Sequence, residues 1–199
     1  MTQPHTLRDL AGLDPTPCAL SDSALVMIDC QNTYRTGVMA LVGVEEALAE
    51  AAKLLDRARN CDAKIFHIAH DSGPGSPYDY SAEIGRIADP VAPREGEPVI
   101  VKNKPNAFVG TDLHDRLQAA GCKNLILAGF MTHMCVNSTA RAAFNLGYRT
   151  TVVGNATATR DLPARDGGVL FARDLHDASL ASIADLFGVV VDGVDDLGG

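Results

Sequence analysis

The sequence contains no tryptophan, only 5% aromatic residues, and no apolar run of the roughly 20 residues that a membrane span needs. Its 17 basic residues are outnumbered by 25 acidic ones, for a formal net charge of −8. Nucleic acid and anionic membrane would each need a basic surface, so neither is expected as a partner. The five cysteines include no CxxC pair, and the first residues lack the charged and apolar regions of a signal peptide. We therefore expect reduced thiols in a cytoplasmic protein.

The length of 199 residues and the 46% hydrophobic content fit one compact domain over residues 1–199, with a polar arm at 1–22 and a flexible tail at 193–199. Short apolar runs alternate with helical patterns, which predicts a three-layer α/β/α sandwich around a mostly parallel, six-stranded sheet. The clearest helix spans 44–60, and the second strand is expected at 64–70. Another helical region is expected from Pro163 to about Phe187, with a candidate break at Gly167-Gly168. Between them, the long irregular stretch 71–98 is interpreted as a lid or an interface, with an undetermined role.

Three residues able to do chemistry each follow a different predicted strand. Asp29 ends the first apolar run, Lys102 ends the third, and Cys135 lies where the fourth turns into a helix. The carboxyl ends of parallel strands meet at one edge of a sheet, so these side chains are expected to converge. The helix N-terminus and the Lys102 ammonium would both favour a thiolate at Cys135.

Two alternatives compete with this set. Lys104 lies two residues from Lys102 on the same strand face, and periodicity does not choose between them. Cys30 is a second candidate nucleophile, but it directly follows Asp29 and so points to the opposite face of the strand, which indicates a core residue.

The pattern resembles the isochorismatase-like cysteine hydrolases. The matching stretches are Asp29-x-Gln31, then Lys102-N-K-P-N-Ala107-Phe108-V-Gly110-Thr111, and Gly129-F-M-Thr132-H-M-Cys135-Val136. The resemblance implies a Rossmann-like strand order of 3-2-1-4-5-6, a catalytic triad of Asp29, Lys102 and Cys135, and a homo-oligomer, either a dimer or a tetramer. It also selects Lys102 over Lys104, because the family lysine precedes the Ala-Phe pair at that spacing.

The resemblance further implies a reaction. Asp29 would take the thiol proton, Cys135 would attack an amide-like carbonyl, and water would hydrolyse the resulting thioester. The family pattern places a cis peptide between Phe130 and Met131, and the backbone N–H groups of Met131 and Cys135 would stabilise the oxyanion.

Residues near these motifs are candidates for contact with the substrate, although packing explains several of them equally well: Gln31, His70, Phe108, Thr132 and His133. Nicotinamidases of the family bind a metal through an Asp-x-His pair and a further histidine. In this sequence His67 and His70 are three apart on one strand and so face opposite sides, and Asp71 merely adjoins His70. We therefore expect no metal and no cofactor.

The predicted function is cysteine-dependent hydrolysis of a small non-peptide amide or carbamoyl C–N bond in a small-molecule substrate. One alternative is an isochorismatase-type vinyl-ether hydrolase, in which an acidic residue protonates the substrate and no thiol is needed. The other is a catalytically idle family member that binds a partner.

Overall fold

The computed structural model describes residues 4–198, which build a parallel six-stranded sheet in the order β3-β2-β1-β4-β5-β8. The predicted sandwich and strand order are confirmed, with β8 as the sixth strand of this sheet. The strands are β1 Ser23–Ile28, β2 Lys64–His70, β3 Val99–Lys102, β4 Asn124–Phe130, β5 Arg149–Ala158 and β8 Val189–Val191. β1 and β4 lie at the centre; every residue of β1 and all but the first residue of β4 are buried.

Helices cover both faces of the sheet: α1 Leu7–Leu10, α2 Val44–Asn60, α3 Leu113–Ala119, α4 Asn137–Asn145 and α5 Ala172–Ala184. The alternation of side chains along β1 divides the core in two. Leu25 and Met27 pack with the apolar stripe of α2. Val26 and Ile28 pack on the other face with residues of α3 and α4. The helix predicted over 44–60 is therefore one outer layer of the sandwich.

The region after β5 differs from the prediction. β5 continues through the polar residues after Val153 as far as Ala158. Where a helix was predicted from Pro163, the chain forms an antiparallel hairpin of β6 Leu162–Pro163 and β7 Val169–Leu170. Gly167 adopts a φ of +88° in the hairpin turn, a conformation that interrupts any helix there. α5 begins only at Ala172, whose N–H donates to Asp161 Oδ1 at 2.7 Å.

Both ends of the described chain pack on the domain. In the N-terminal arm, the N–H of Leu7 donates to Asp185 Oδ1 at 2.9 Å. In the tail, Val194 and Leu197 are buried and Arg57 donates to the carbonyl of Val194, whereas the predicted flexibility of this segment stays a prediction. Residues 1–3 of the predicted arm and residue 199 of the predicted tail lie outside the described residues. Within 4–198, no helix combines the length and apolar composition required to cross a bilayer.

Candidate active site

Asp29 follows β1 at the carboxyl edge of the sheet and has a left-handed backbone, with φ of +49°. Its N–H donates to Ile68 O at 2.9 Å, and its carbonyl accepts from Gln31 N at 2.8 Å. Few residues other than glycine adopt this conformation, although aspartate and asparagine tolerate it better than most. The turn leaves the carboxylate fully buried between the two neighbouring strands.

Lys102 ends β3 and reaches Asp29 across β2. Its Nζ lies 2.6 Å from Asp29 Oδ2, and both side chains are 0% exposed. Neither carboxylate oxygen has a hydrogen-bond partner of good geometry among residues 4–198, so charge holds this pair together. Burial raises the pKa of Asp29, while the Lys102 charge acts in the opposite direction. A carboxylate with a raised pKa is a stronger proton acceptor.

Cys135 lies in the turn Thr132–Val136, between β4 and α4. The turn is wider than an α-helical one, because Val136 N donates to Met131 O, five residues back, at 3.2 Å. Lys102 Nζ donates to Cys135 Sγ at 3.5 Å, and the cysteine is 4% exposed. The structure thus brings the three predicted side chains together around one ammonium group.

The protonation of the sulfur differs from the expectation. Burial, followed by the charge of Asp29, raises the pKa of Cys135 to about 12, although Lys102 opposes the rise. Lys102 favours the thiolate, as expected, but burial and the charge of Asp29 outweigh it. At neutral pH the sulfur is a thiol, and it must lose its proton as it attacks.

The backbone before Cys135 approaches β1 closely. Gly129 has a φ of +115°, and a side-chain carbon at this position would overlap the carbonyl oxygen of Ile28. Only glycine fits both constraints. The peptide between Phe130 and Met131 is cis. The role of the Met131 and Cys135 N–H groups as oxyanion donors stays a prediction.

Comparison with known proteins gives the family of the chain. Residues 23–195 match the family model described as the isochorismatase domain. The chain belongs to the isochorismatase family. It is 34% identical over 191 residues to the secreted isochorismatase effector Isc1 of Verticillium dahliae, covering 96% of this chain and 98% of that protein. The ureidoacrylate amidohydrolase RutB of Rhizobium rhizogenes is 28% identical, over 72% of this chain and 74% of that protein. A crystal structure of an isochorismatase from Pseudomonas putida KT2440 superposes with a TM-score of 0.94 at 41% identity, covering 98% of this chain and all of that one.

Two of the candidate substrate residues of this isochorismatase-family chain are engaged with the triad or with the backbone. His70 Nδ1 lies 3.2 Å from Lys102 Nζ. The side chain of Gln31 is 0% exposed, and its amide bonds the backbone N–H and C=O of His70 at 2.8 and 2.9 Å and the carbonyl of Gly85. These bonds favour the role of fixing the strand ends over that of contacting a substrate.

The other three candidates are dispersed. Thr132 Oγ1 is buried and bonds Thr157 Oγ1 and His176 Nδ1 at 3.1 and 3.0 Å. His133 Nδ1 bonds Thr159 Oγ1, which ties the cysteine turn to the end of β5.

Phe108 stacks on Tyr148 at 5.9 Å, beyond the C-terminal end of α4. The N–H of the preceding residue, Ala107, donates to Thr139 Oγ1 near the start of α4 at 3.1 Å. Packing accounts for the position of the ring, and the substrate contact of Phe108 stays a prediction.

Sequence reasoning missed two further residues: Tyr34, which borders the triad, and Arg160, which lies near Tyr78 and His133. Tyr34 is 1% exposed; burial, followed by the charges of Asp29 and Cys135, raises its pKa. Its ring contacts that of Tyr78, at a centroid distance of 5.8 Å. Arg160 follows β5. Burial, followed by the charge of Arg160, lowers the pKa of His133, whereas burial raises the pKa of Tyr78 and the Arg160 charge opposes that rise. Its Nε is buried without a hydrogen-bond partner in the described part of the chain, and no carboxylate there lies within ion-pair distance.

The competing candidates lie elsewhere. Lys104 is exposed. Cys30 is 2% exposed and packs in the core on the α2 side of the sheet, as predicted. His67 bonds Glu97 at 3.0 Å, so it has a different partner from His70. Within residues 4–198, no three histidine, cysteine or acidic side chains are grouped as a metal site requires.

Proposed function

We propose that this chain is a cysteine-dependent amidohydrolase that cleaves a small non-peptide amide or carbamoyl C–N bond. The observation that carries the proposal is the convergence of Asp29, Lys102 and Cys135, with the sulfur 3.5 Å from an ammonium that is itself paired with a carboxylate. A nucleophile, a base and a cation at one point are the groups that acyl transfer to sulfur requires.

The reaction follows from the protonation states. As Sγ attacks the carbonyl carbon, its proton passes to Asp29, whose raised pKa suits it as the acceptor. Asp29 then gives that proton to the nitrogen as the C–N bond breaks, and ammonia or an amine leaves. Asp29 next takes a proton from water, the water oxygen attacks the thioester, and the acid is released as Cys135 regains its proton.

The surroundings favour a substrate that carries a negative group. Arg160 offers a guanidinium without a carboxylate partner in residues 4–198, and a substrate carboxylate would supply one. The burial of the three side chains supports a small substrate, because Asp29 and Lys102 are at most 2% exposed and Cys135 is 4% exposed. The similarity to a protein named as a ureidoacrylate amidohydrolase is consistent with this class.

The test is a panel of amides, ureides and carbamoyl compounds, with and without a carboxylate, assayed by release of ammonia or amine. We expect turnover of at least one compound. In Cys135→Ala, kcat/KM for that compound should fall at least 10³-fold, because no other group in the site can replace the sulfur as nucleophile. Cys122→Ala is the matched control, since that cysteine is half-buried and packs at the fringe of the core. A Cys135→Ala protein that kept full turnover would end the proposal.

A second function is favoured by one observation, the similarity over nearly the whole chain to a protein named as an isochorismatase effector. In that reaction an acidic residue protonates the vinyl ether, and Asp29 is the buried acid available. Isochorismate hydrolysis would be detected as pyruvate and would survive in Cys135→Ala but not in Asp29→Asn. If neither pyruvate nor ammonia forms from any substrate, the remaining possibility is a binding role.

A further inference from the structure

The Lys102 ammonium has a third neighbour besides Asp29 and Cys135. His70 and Lys102 are direct partners in the pairing of β2 with β3, so their side chains emerge on the same face of the sheet. His70 Nδ1 lies 3.2 Å from Nζ. The ammonium therefore has one neighbour for each of its three N–H groups: a carboxylate, a thiol and an imidazole.

The other contacts of His70 fix which ring nitrogen carries the proton. An N–H at Nδ1 would point at a cation, so Nδ1 must be the acceptor, and the proton lies on Nε2. Nε2 is 3.1 Å from Ser72 Oγ, which can accept it. Burial, followed by the charge of Lys102, lowers the pKa of His70 to about 4, so the ring is neutral at physiological pH.

The ring is also held in place from behind. The backbone N–H and C=O of His70 are both bonded by the side chain of Gln31, two residues after Asp29. Tyr78 packs against the ring at a centroid distance of 4.9 Å. Such restraint is more than a substrate-contacting side chain needs, and it suits a group that orients another group.

We propose that His70 is a positioning residue whose unprotonated Nδ1 holds the Lys102 ammonium in line with Cys135. The inference rests on the proposed function, because the alignment of Lys102 with Cys135 matters only if the sulfur acts as a nucleophile. It assigns His70 no contact with the reacting atoms, in contrast to the substrate contact expected from the sequence.

The test uses two polar substitutions that differ in where they place an acceptor. The amide oxygen of His70→Asn occupies the position of Nδ1, whereas that of His70→Gln reaches toward the position of Nε2. The readout is the rate constant for iodoacetamide alkylation of Cys135 at pH 9, followed at that peptide by mass spectrometry. This measurement needs no substrate, so it remains informative if the amidohydrolase assignment fails.

We expect His70→Asn to stay within about threefold of the wild type and His70→Gln to fall about tenfold or more, because a buried ammonium proton then lacks its acceptor. If a substrate is found, kcat should fall with little change in KM. His70→Leu should behave like His70→Gln, and His114→Leu is the control, since that histidine bonds Tyr148 instead.

The pair of substitutions separates alignment from packing. The charged or titratable groups facing the ring are Lys102, Asp71 and Tyr78, and in His70→Gln these are unchanged. A loss of alkylation rate in His70→Gln that His70→Asn restores supports positioning. Equal loss in both variants, or wild-type rates in His70→Gln, would overturn it. Circular dichroism confirms that each variant is folded; if His70→Gln is not, His70→Leu supplies the comparison.

Discussion

Removing the charge of Lys102 should cost more stability than removing both charges of its ion pair with Asp29. The side chains are 0% exposed and their charged atoms lie 2.6 Å apart. Breaking a buried pair by deleting one partner typically costs about 3–5 kcal/mol, because the other charge stays buried without compensation. Lys102→Met leaves the carboxylate with no hydrogen-bond donor of good geometry in residues 4–198, so we expect a loss in that range.

Asp29→Asn should cost less, about 2 kcal/mol, because the ammonium keeps His70 and Cys135 as neighbours. Asparagine also tolerates the left-handed backbone at position 29. In the double variant neither charge remains, so its loss should fall short of the sum of the single losses by about 3 kcal/mol, which leaves it below the loss in Lys102→Met alone.

Urea denaturation at pH 7 measures these free energies, and Lys104→Met is the matched control because Lys104 is exposed. The pH dependence gives a second check. Without Lys102 the pKa of Asp29 in the folded state rises further above its unfolded value. The resulting penalty is absent below the unfolded pKa, where the acid is protonated in both states, and grows as the pH rises toward the folded pKa. The loss in Lys102→Met should therefore be smaller at pH 4 than at pH 7. Additive single losses, or a loss independent of pH, would refute the reasoning.

Three other substitutions have expected outcomes. Gly129→Ala should lower the free energy of unfolding by about 3 kcal/mol or more, since its Cβ would overlap Ile28 O. Gly147→Ala is the control: no atom lies near its Cβ, so it should cost only about 1–2 kcal/mol in the same urea titrations. The pKa of Glu97 is lowered to about 2, so up to about 3 kcal/mol of stability should vanish between pH 4.5 and 2 in the wild type but not in Glu97→Gln. Arg160→Gln should raise KM about 10- to 100-fold for carboxylate-bearing substrates and leave uncharged ones nearly unchanged; equal effects on both would contradict the anionic subsite.

Much of the fold could be predicted because its signals are local. The helix over Val44–Asn60 and the strand Lys64–His70 have the predicted bounds, since apolar periodicity and a compact apolar run define each one. The hairpin after β5 could not be predicted in this way. Its strands have two residues each, too few to show a period, and the turn at Gly167 was interpreted as a break in a helix.

The same distinction between features with and without a sequence signal applies to the candidate site. Asp29, Lys102 and Cys135 could be grouped because each follows a strand and the motif spacing selects among rivals such as Lys104. Tyr34 could not, because it lies in a short 3-10 turn with no distinguishing pattern, and only the packed structure brings it to the triad. The partner of His70 depends on the register between β2 and β3, which no single-sequence signal fixes.

The charge balance of the site explains why the sulfur rests as a thiol. Asp29 and Lys102 neutralise each other, so a thiolate would leave a net negative charge in a site at most 4% exposed. Such a buried charge is costly until the sulfur attacks a carbonyl. The charge then moves to the carbonyl oxygen, and N–H donors stabilise this oxyanion. At pH 7, Cys135 should therefore react with iodoacetamide at least about tenfold more slowly than the exposed Cys61, with the rate still rising above pH 10, as a pKa of about 12 requires. Peptide-resolved mass spectrometry measures both sites in one sample, and a faster reaction at Cys135 would show that the thiolate exists before substrate arrives.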